Sequence, residues 1–286
     1  MNEQIKREEG VHGKDWNAVH DGFFSNPVVA APLVQKIQEL AGKSRADVLV
    51  DLGGGNGSVL SQLLAEGVGH GMSLVNLDDS DIQLDAARRT GISCVRGSVD
   101  SFSRHDLGTE DGHFLFMMRS VLHYFGEDGL RPVLRHLRAQ TKPGEFFVHQ
   151  TASFRHRQDA NRLNVLYQMM RTQKWYPTVA FLCECLRAEG WKVLEILPVL
   201  PLPLTSDDLA KRYDLDQVDI PRISNRLFRE FPVSEEVFRR TDDGFCAFLH
   251  YWIYICIPVT RLANLAGMDR KRLNKTNAAY AEFCAG

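Results

Sequence analysis

The chain has 286 residues, 44% of them hydrophobic and 24% charged, enough to bury one sizeable core and an accessory subdomain. Its formal net charge of -2 gives no electrostatic basis for binding nucleic acid or an anionic membrane, so a small molecule is the expected partner. The polar start MNEQIKREEGVHGKDW lacks the apolar core of an export signal, and the longest apolar run, 245–259, is interrupted by His250 and falls short of the roughly 18 residues that span a bilayer. A cytoplasmic protein without a membrane segment is expected.

Along the chain, residues 1–45 form an amino-terminal extension in which Phe23, Phe24, Val28, Val29, Leu33, Ile37 and Leu40 recur at helical spacing. This segment is expected either to close over a ligand site as a lid or to extend the core. From residue 46 to 258, short β-branched runs alternate with helical patterns, the signature of a parallel sheet covered on both faces. Strands are expected at 47–52, 72–78, 93–97, 112–118, 145–150, 192–197 and 244–257. Helices are expected at 57–65, 81–89, 127–140, 159–172 and 178–188. Helical insertions at 155–176 and 205–240 fall where additions shape a substrate pocket, and a basic amphipathic extension occupies 259–286. The expected fold is α/β, a Rossmann-like, mostly parallel sheet of seven strands with helices on both faces, a helical amino-terminal lid and insertions. Six cysteines (Cys94, Cys183, Cys185, Cys246, Cys256 and Cys284) lie scattered in apolar segments without metal-ligand spacing and read as reduced thiols, with no metal site.

The strongest local signal is the run Val48-Leu-Val-Asp51-Leu-Gly53-Gly54-Gly55-Asn56-Gly57-Ser58, an apolar strand delivered into a glycine-rich turn that opens a helix. Glycines permit positive φ and let a ligand approach the backbone. An acid closing the first strand departs from the dinucleotide fingerprint, since a carboxylate beside the turn repels a pyrophosphate and favours a cation. With GxGxG at Gly53, Gly55 and Gly57, this run resembles motif I of the class I S-adenosylmethionine-dependent methyltransferases.

The resemblance continues to about residue 200. It implies S-adenosylmethionine as cofactor and Asp78, at the end of the second strand, as the carboxylate for the ribose hydroxyls. After the third strand, Ser98 stands where the family usually has an acid for the adenine amino group; its hydroxyl, Asp100 or the backbone around Val99 is then expected to serve. The segment 117–125, MMRSVLHYF, resembles the family's loop after the fourth strand and implies that Met118 and Arg119 border the methionine portion. Cofactor contacts are therefore expected at Asp51, Gly53, Gly55, Gly57, Asp78, Ser98, Val99, Met118 and Arg119.

Methyl transfer from a sulfonium is an in-line displacement that needs alignment first and a base only when the nucleophile must lose a proton early. Candidates at the carboxyl edge are His123, His149, Gln150, Tyr167 and Tyr176, with Trp175 as a further pocket wall. Of these, His149, Tyr176 and His123 are taken as the catalytic set, His149 as a base beside the acceptor. Each also has a plain structural reading as a packed or hydrogen-bonded side chain. His12, Trp16 and His20 are placed in the lid.

The function expected is methyl transfer to a small metabolite in secondary metabolism, with a homodimer allowed. An azetidine-2-carboxylate synthase-like enzyme, which cyclises the cofactor's aminocarboxypropyl chain and releases methylthioadenosine, is the alternative; a non-catalytic binding protein is a third.

Overall fold

Residues 22–68 and 71–259 are described by a computed structural model. The amino-terminal residues through 21, which include His12, Trp16 and His20, and the basic tail from residue 260, with Cys284, lie outside the described residues.

Helix α1 (Pro27–Ser44) starts where Asn26 Oδ1 accepts the Val28 N–H at 2.9 Å and Pro27 presets the first turn. Val29, Leu33, Ile37 and Leu40 then bury one stripe. There follow β1 (Val48–Leu52), α2 (Ser58–Ala65), β2 (Ser73–Asp78), α3 (Asp81–Arg88), β3 (Ser93–Arg96), β4 (Phe114–Arg119), α4 (Gly126–Gln140), β5 (Phe146–Ala152), α5 (Arg157–Met169), α6 (Val179–Ala188) and β6 (Trp191–Pro198). The chain closes with β7 (Leu202–Thr205), α7 (Ser206–Tyr213), α8 (Asp219–Glu230), β8 (Phe238–Thr241), β9 (Gly244–Leu249) and β10 (Tyr251–Pro258).

Seven strands form the main sheet in the order β3-β2-β1-β4-β5-β10-β6, with β10 antiparallel to both neighbours and the other pairs parallel. Buried on both faces, β1 is apolar at every position except Asp51. On one face α1 and α2 set Leu33, Ile37, Leu60 and Leu63 against Leu49, Leu115, Val148 and Ile253. On the other, α4 and α6 set Leu130, Leu134, Leu182 and Leu186 against Phe116, Phe147 and Tyr254. The strand order reverses around β1, which pairs with β2 on one side and β4 on the other, so a crevice opens at the carboxyl ends of these strands. At the opposite edge, Glu145 is sealed by Arg104 at 2.9 Å and by the N–H groups of Phe114 and Lys142.

Two expectations are corrected. The apolar run 244–257 is not one strand: it breaks at His250, β9 joining a separate three-stranded sheet, β7-β9-β8, and β10 the main sheet. The His250 carbonyl accepts the Ser153 N–H and its ring meets the Glu236 carbonyl at 3.0 Å, so the polar residue is the hinge by which the chain changes sheets. The insertion 205–240 is correspondingly not all helix. It supplies α7, α8 and β8, which with α5, β7 and β9 bury a third cluster containing Phe24, Tyr167, Tyr176 and Tyr251. This cluster caps the carboxyl edge of the main sheet.

Candidate active site

The glycine turn is built as its residues require. Gly53, Gly55 and Gly57 have φ of +73°, +55° and +74°, a region side chains rarely adopt. A Cβ on Gly53 would lie 2.7 Å from Val121 Cγ2, whereas one on Gly55 would meet nothing nearer than Gln83 Oε1 at 3.7 Å. Gly53 therefore packs against the β4 loop, whereas a Cβ at Gly55 would make only an ordinary contact with Gln83. The turn is tied to β2: the Gly55 N–H donates to Asp78 Oδ2 at 2.8 Å, and Asn76 Nδ2 donates to the Gly55 carbonyl at 2.7 Å. Asp78 Oδ1 also accepts the Ser80 N–H at 2.9 Å, which fixes the carboxylate at the mouth of the turn.

Strand alternation gathers a polar row on the α1 face. Asp51 stands opposite Asn76 and Met117, while Arg119, two residues beyond Met117, stands opposite Gln150, itself opposite Ile253. Asp51 is buried and pushed up to about 7, first by that burial and then by the Asp78 charge, with Arg119 acting against both. Burial also lowers Arg119, to about 10. Arg119 Nη1 donates to the Phe24 carbonyl at 2.8 Å and its guanidinium lies 5.3 Å from the Phe24 ring centre. Among the described residues, Asp51 Oδ1, Arg119 Nε and Nη2, and both polar atoms of Gln150 have no hydrogen-bond partner. Nε and Nη2 form one edge of the guanidinium fork, the edge that matches a carboxylate. A buried, unpaired carboxylate oxygen on β1 and a buried, unpaired guanidinium edge on β4 thus lie on the same face of the sheet, complementary to a ligand bearing both an ammonium and a carboxylate.

Met118 points to the opposite face, packed with Phe116 and Phe147, because odd and even positions of β4 part to the two sides; only its backbone borders the crevice. Val99 is likewise buried in that core, Ser98 is half-buried in the turn below β3 with its carbonyl accepting the Ser101 and Phe102 N–H groups, and Asp100 is exposed.

The catalytic set is not assembled at the edge. His149 lies inside β5, wholly buried, stacked between the Tyr254 ring at 4.7 Å and the Phe147 ring at 4.8 Å, with Nδ1 bonded to Thr151 Oγ1 at 2.7 Å. Burial drops it to about 3, so it is a neutral packed imidazole and a poor proton acceptor. Tyr176 is buried in the cap, 5.3 Å from the His123 ring, its hydroxyl driven up by desolvation, which makes it a donor and not a base. Its backbone is held to the Asn164 side chain through bonds of 2.7 and 3.0 Å. His123 is also buried, and Trp175 packs on the α4 side against Phe181. Sequence reading missed Ser120 and Tyr251, whose hydroxyls meet at 2.8 Å above the end of β4. Ser120 has φ of +59°, a strained turn residue that no spacing rule marks, and Tyr251 was hidden in the apolar run.

Residues 29–196 match the family described as "Methyltransferase domain", more than half of the chain. The protein belongs to this methyltransferase family. No curated protein matches it. Among solved structures, the methyltransferase fold is shared with a protein assigned as a methyltransferase from Bacillus halodurans C-125, at TM-score 0.62 and 16% identity over 78% of this chain and 96% of that one. An S-adenosylmethionine-dependent methyltransferase from Anabaena variabilis has TM-score 0.55 and 13% identity over 90% and 93% of the two chains. Another, from Thiobacillus denitrificans in complex with S-adenosyl-L-homocysteine, has TM-score 0.50 and 12% identity over 90% and 99%. The class I methyltransferase resemblance and the seven-stranded Rossmann-like fold expected from sequence are thereby met, and the protein is a transferase of this family.

Proposed function

We propose that this family member transfers the sulfonium methyl of S-adenosylmethionine to a small-molecule acceptor. The observation that carries the reading is the unpaired Asp51 carboxylate oxygen beside the unpaired Nε/Nη2 edge of Arg119, a receptor for an α-amino acid group at a glycine turn. Asp51 takes the ammonium, Arg119 the carboxylate, and Asp78 the ribose hydroxyls, with the backbone of the turn at Gly53, Gly55 and Gly57 lying along the nucleoside. The half-buried Ser98 and the backbone at Val99 border the adenine side.

When bound, the cofactor supplies an electrophilic methyl on a cationic sulfur. The protein's own part is alignment: the β1 and β4 ends hold one reactant while the wall of Phe24 and Tyr251, edge to face at 6.2 Å, excludes water on the acceptor side. Ser120 and Tyr251 hold each other's hydroxyls and present a donor above β4, so an acceptor hydroxyl is oriented without a charged base. Among the described helices none is long and apolar enough to cross a membrane; cytoplasmic residence and a place in secondary metabolism belong to this reading.

Calorimetry tests it. S-adenosylhomocysteine should bind at least about 100-fold more tightly than methylthioadenosine, which lacks the amino acid group, since two charge-assisted contacts are lost. Arg119→Met should remove most of that preference. Equal affinities in the unsubstituted protein would refute the assignment. Turnover should leave S-adenosylhomocysteine; methylthioadenosine as the by-product would mean attack at another carbon.

A further inference from the structure

Gln150 is the polar side chain of the row that the cofactor reading does not use. It is wholly buried, and neither Oε1 nor Nε2 has a partner among the described residues, although a carboxamide offers two donors and two acceptor lone pairs. Leaving either end unpaired in the interior costs about 1 to 3 kcal/mol, so the position is poor as core packing, where Leu or Met would serve better.

Its neighbours do not supply the missing partners. On β10 stands Ile253, which is apolar, and on β4 stands Arg119, a donor only, whose Nε and Nη2 make no hydrogen bond to Gln150. The Ser120 hydroxyl is engaged with Tyr251, and the Ser120 N–H is used on the Gln150 backbone carbonyl at 2.8 Å. The Phe24 and Tyr251 rings are tied to the two β4-side neighbours of Gln150, Phe24 through its carbonyl to Arg119 and Tyr251 through its hydroxyl to Ser120, and they pack edge to face on each other.

Resting on the acceptor side of the proposed methyltransferase site, we propose that Gln150 is an acceptor-binding residue that reads, in bidentate fashion, a planar amide edge on the methyl acceptor: a primary carboxamide, lactam or imide. Such an edge presents a donor beside an acceptor, the complement of a carboxamide, and a flat ring carrying it fits along the Phe24–Tyr251 wall. A partner with an acceptor but no donor satisfies one end of Gln150 and leaves the other unpaired, which is how the site discriminates.

The test uses the full chain saturated with S-adenosylhomocysteine and two matched probes: benzamide, with the amide edge, and acetophenone, with only the carbonyl. Benzamide should bind about 10-fold more tightly, and Gln150→Met should bring the two within about 2-fold while retaining S-adenosylhomocysteine binding and raising the melting temperature of the acceptor-free protein. Gln150→Glu should instead favour benzamidine, which offers two donors and a charge. No binding of benzamide, equal binding of the two probes, or a preference that survives Gln150→Met overturns the proposal; so does loss of S-adenosylhomocysteine binding in Gln150→Met. Repeating the titration without the cofactor product separates the two readings. A benzamide preference in a protein that fails to bind S-adenosylhomocysteine refutes the cofactor assignment and leaves this one standing.

Discussion

Asp51 and His149 are both wholly buried, yet burial moves them in opposite directions and their effects on stability oppose each other. Asp51, raised from 3.8 to about 7, is protonated in the fold where it is ionised in the unfolded chain. Its contribution is full below about 3.8 and is lost as pH rises through about 7. His149, lowered from 6.5 to about 3, contributes above 6.5 and loses that contribution as pH falls through about 3. The two slopes nearly cancel between about pH 4 and 6.5. Urea unfolding of the ligand-free protein should therefore show Asp51→Asn more stable at pH 8 by about 2 to 4 kcal/mol, and His149→Gln with a shallower acid limb. No such gain at pH 8 would mean Asp51 is not a buried charge. Since an ammonium stabilises the ionised carboxylate, cofactor affinity should fall about tenfold per pH unit below 7, with protons released on binding. Calorimetry in two buffers of different ionisation enthalpy measures that release, and Asp51→Asn should abolish it. The acid at position 51 was legible because a strand end and a glycine turn mark it. That its charge is half suppressed was not, because the suppression comes first from burial and then from Asp78, against the pull of Arg119, and all three depend on other strands.

Between β1 and α2 the glycine turn carries two distinct constraints. Gly53→Ala collides with Val121 and should lower the melting temperature by the equivalent of about 1 to 3 kcal/mol, in part restored by Val121→Ala. In Gly55→Val the new Cβ makes only an ordinary contact, so the fold penalty should be limited to the left-handed backbone, about 1 to 2 kcal/mol, while cofactor binding is lost. If Gly55→Val binds S-adenosylhomocysteine normally, the space beside Gly55 is not the ligand's. Local spacing announced the turn, the helices α3, α4 and α6 and the strands β1 to β6 to within a few residues, because each carries its own period and its own stop. It misplaced His149 because a side chain's face follows from strand register, and one residue of register exchanges one face of the sheet for the other. The run 244–257 misled for a related reason: apolar on both sides, it looks alike whether it serves one sheet or two.

For the molecule as a whole, the link that matters runs from the start of α1 to the end of β4. The Arg119 guanidinium holds the Phe24 carbonyl, and Phe24 packs on Tyr251, so the segment that leads into α1 is fastened to the end of β4 and ligand bound at Arg119 should steady it. Hydrogen exchange should show protection at residues 22–29 when S-adenosylhomocysteine is added, with β10 unchanged, and Phe24→Ala should weaken binding by about 1 to 2 kcal/mol through the lost ring contacts. Exchange there that ignores ligand would make α1 plain packing. The family, the seven-stranded sheet and the acid–glycine–acid constellation of Asp51, the turn and Asp78 were legible along the chain, because these are contiguous or set at strand ends that periodicity reveals. Only the tertiary structure decided that Asp51, Arg119 and Gln150 share one face, that Ser120 meets Tyr251 across 131 positions, and that His149 is core. Those facts arise from cross-strand register and from burial, neither of which any stretch of chain carries alone.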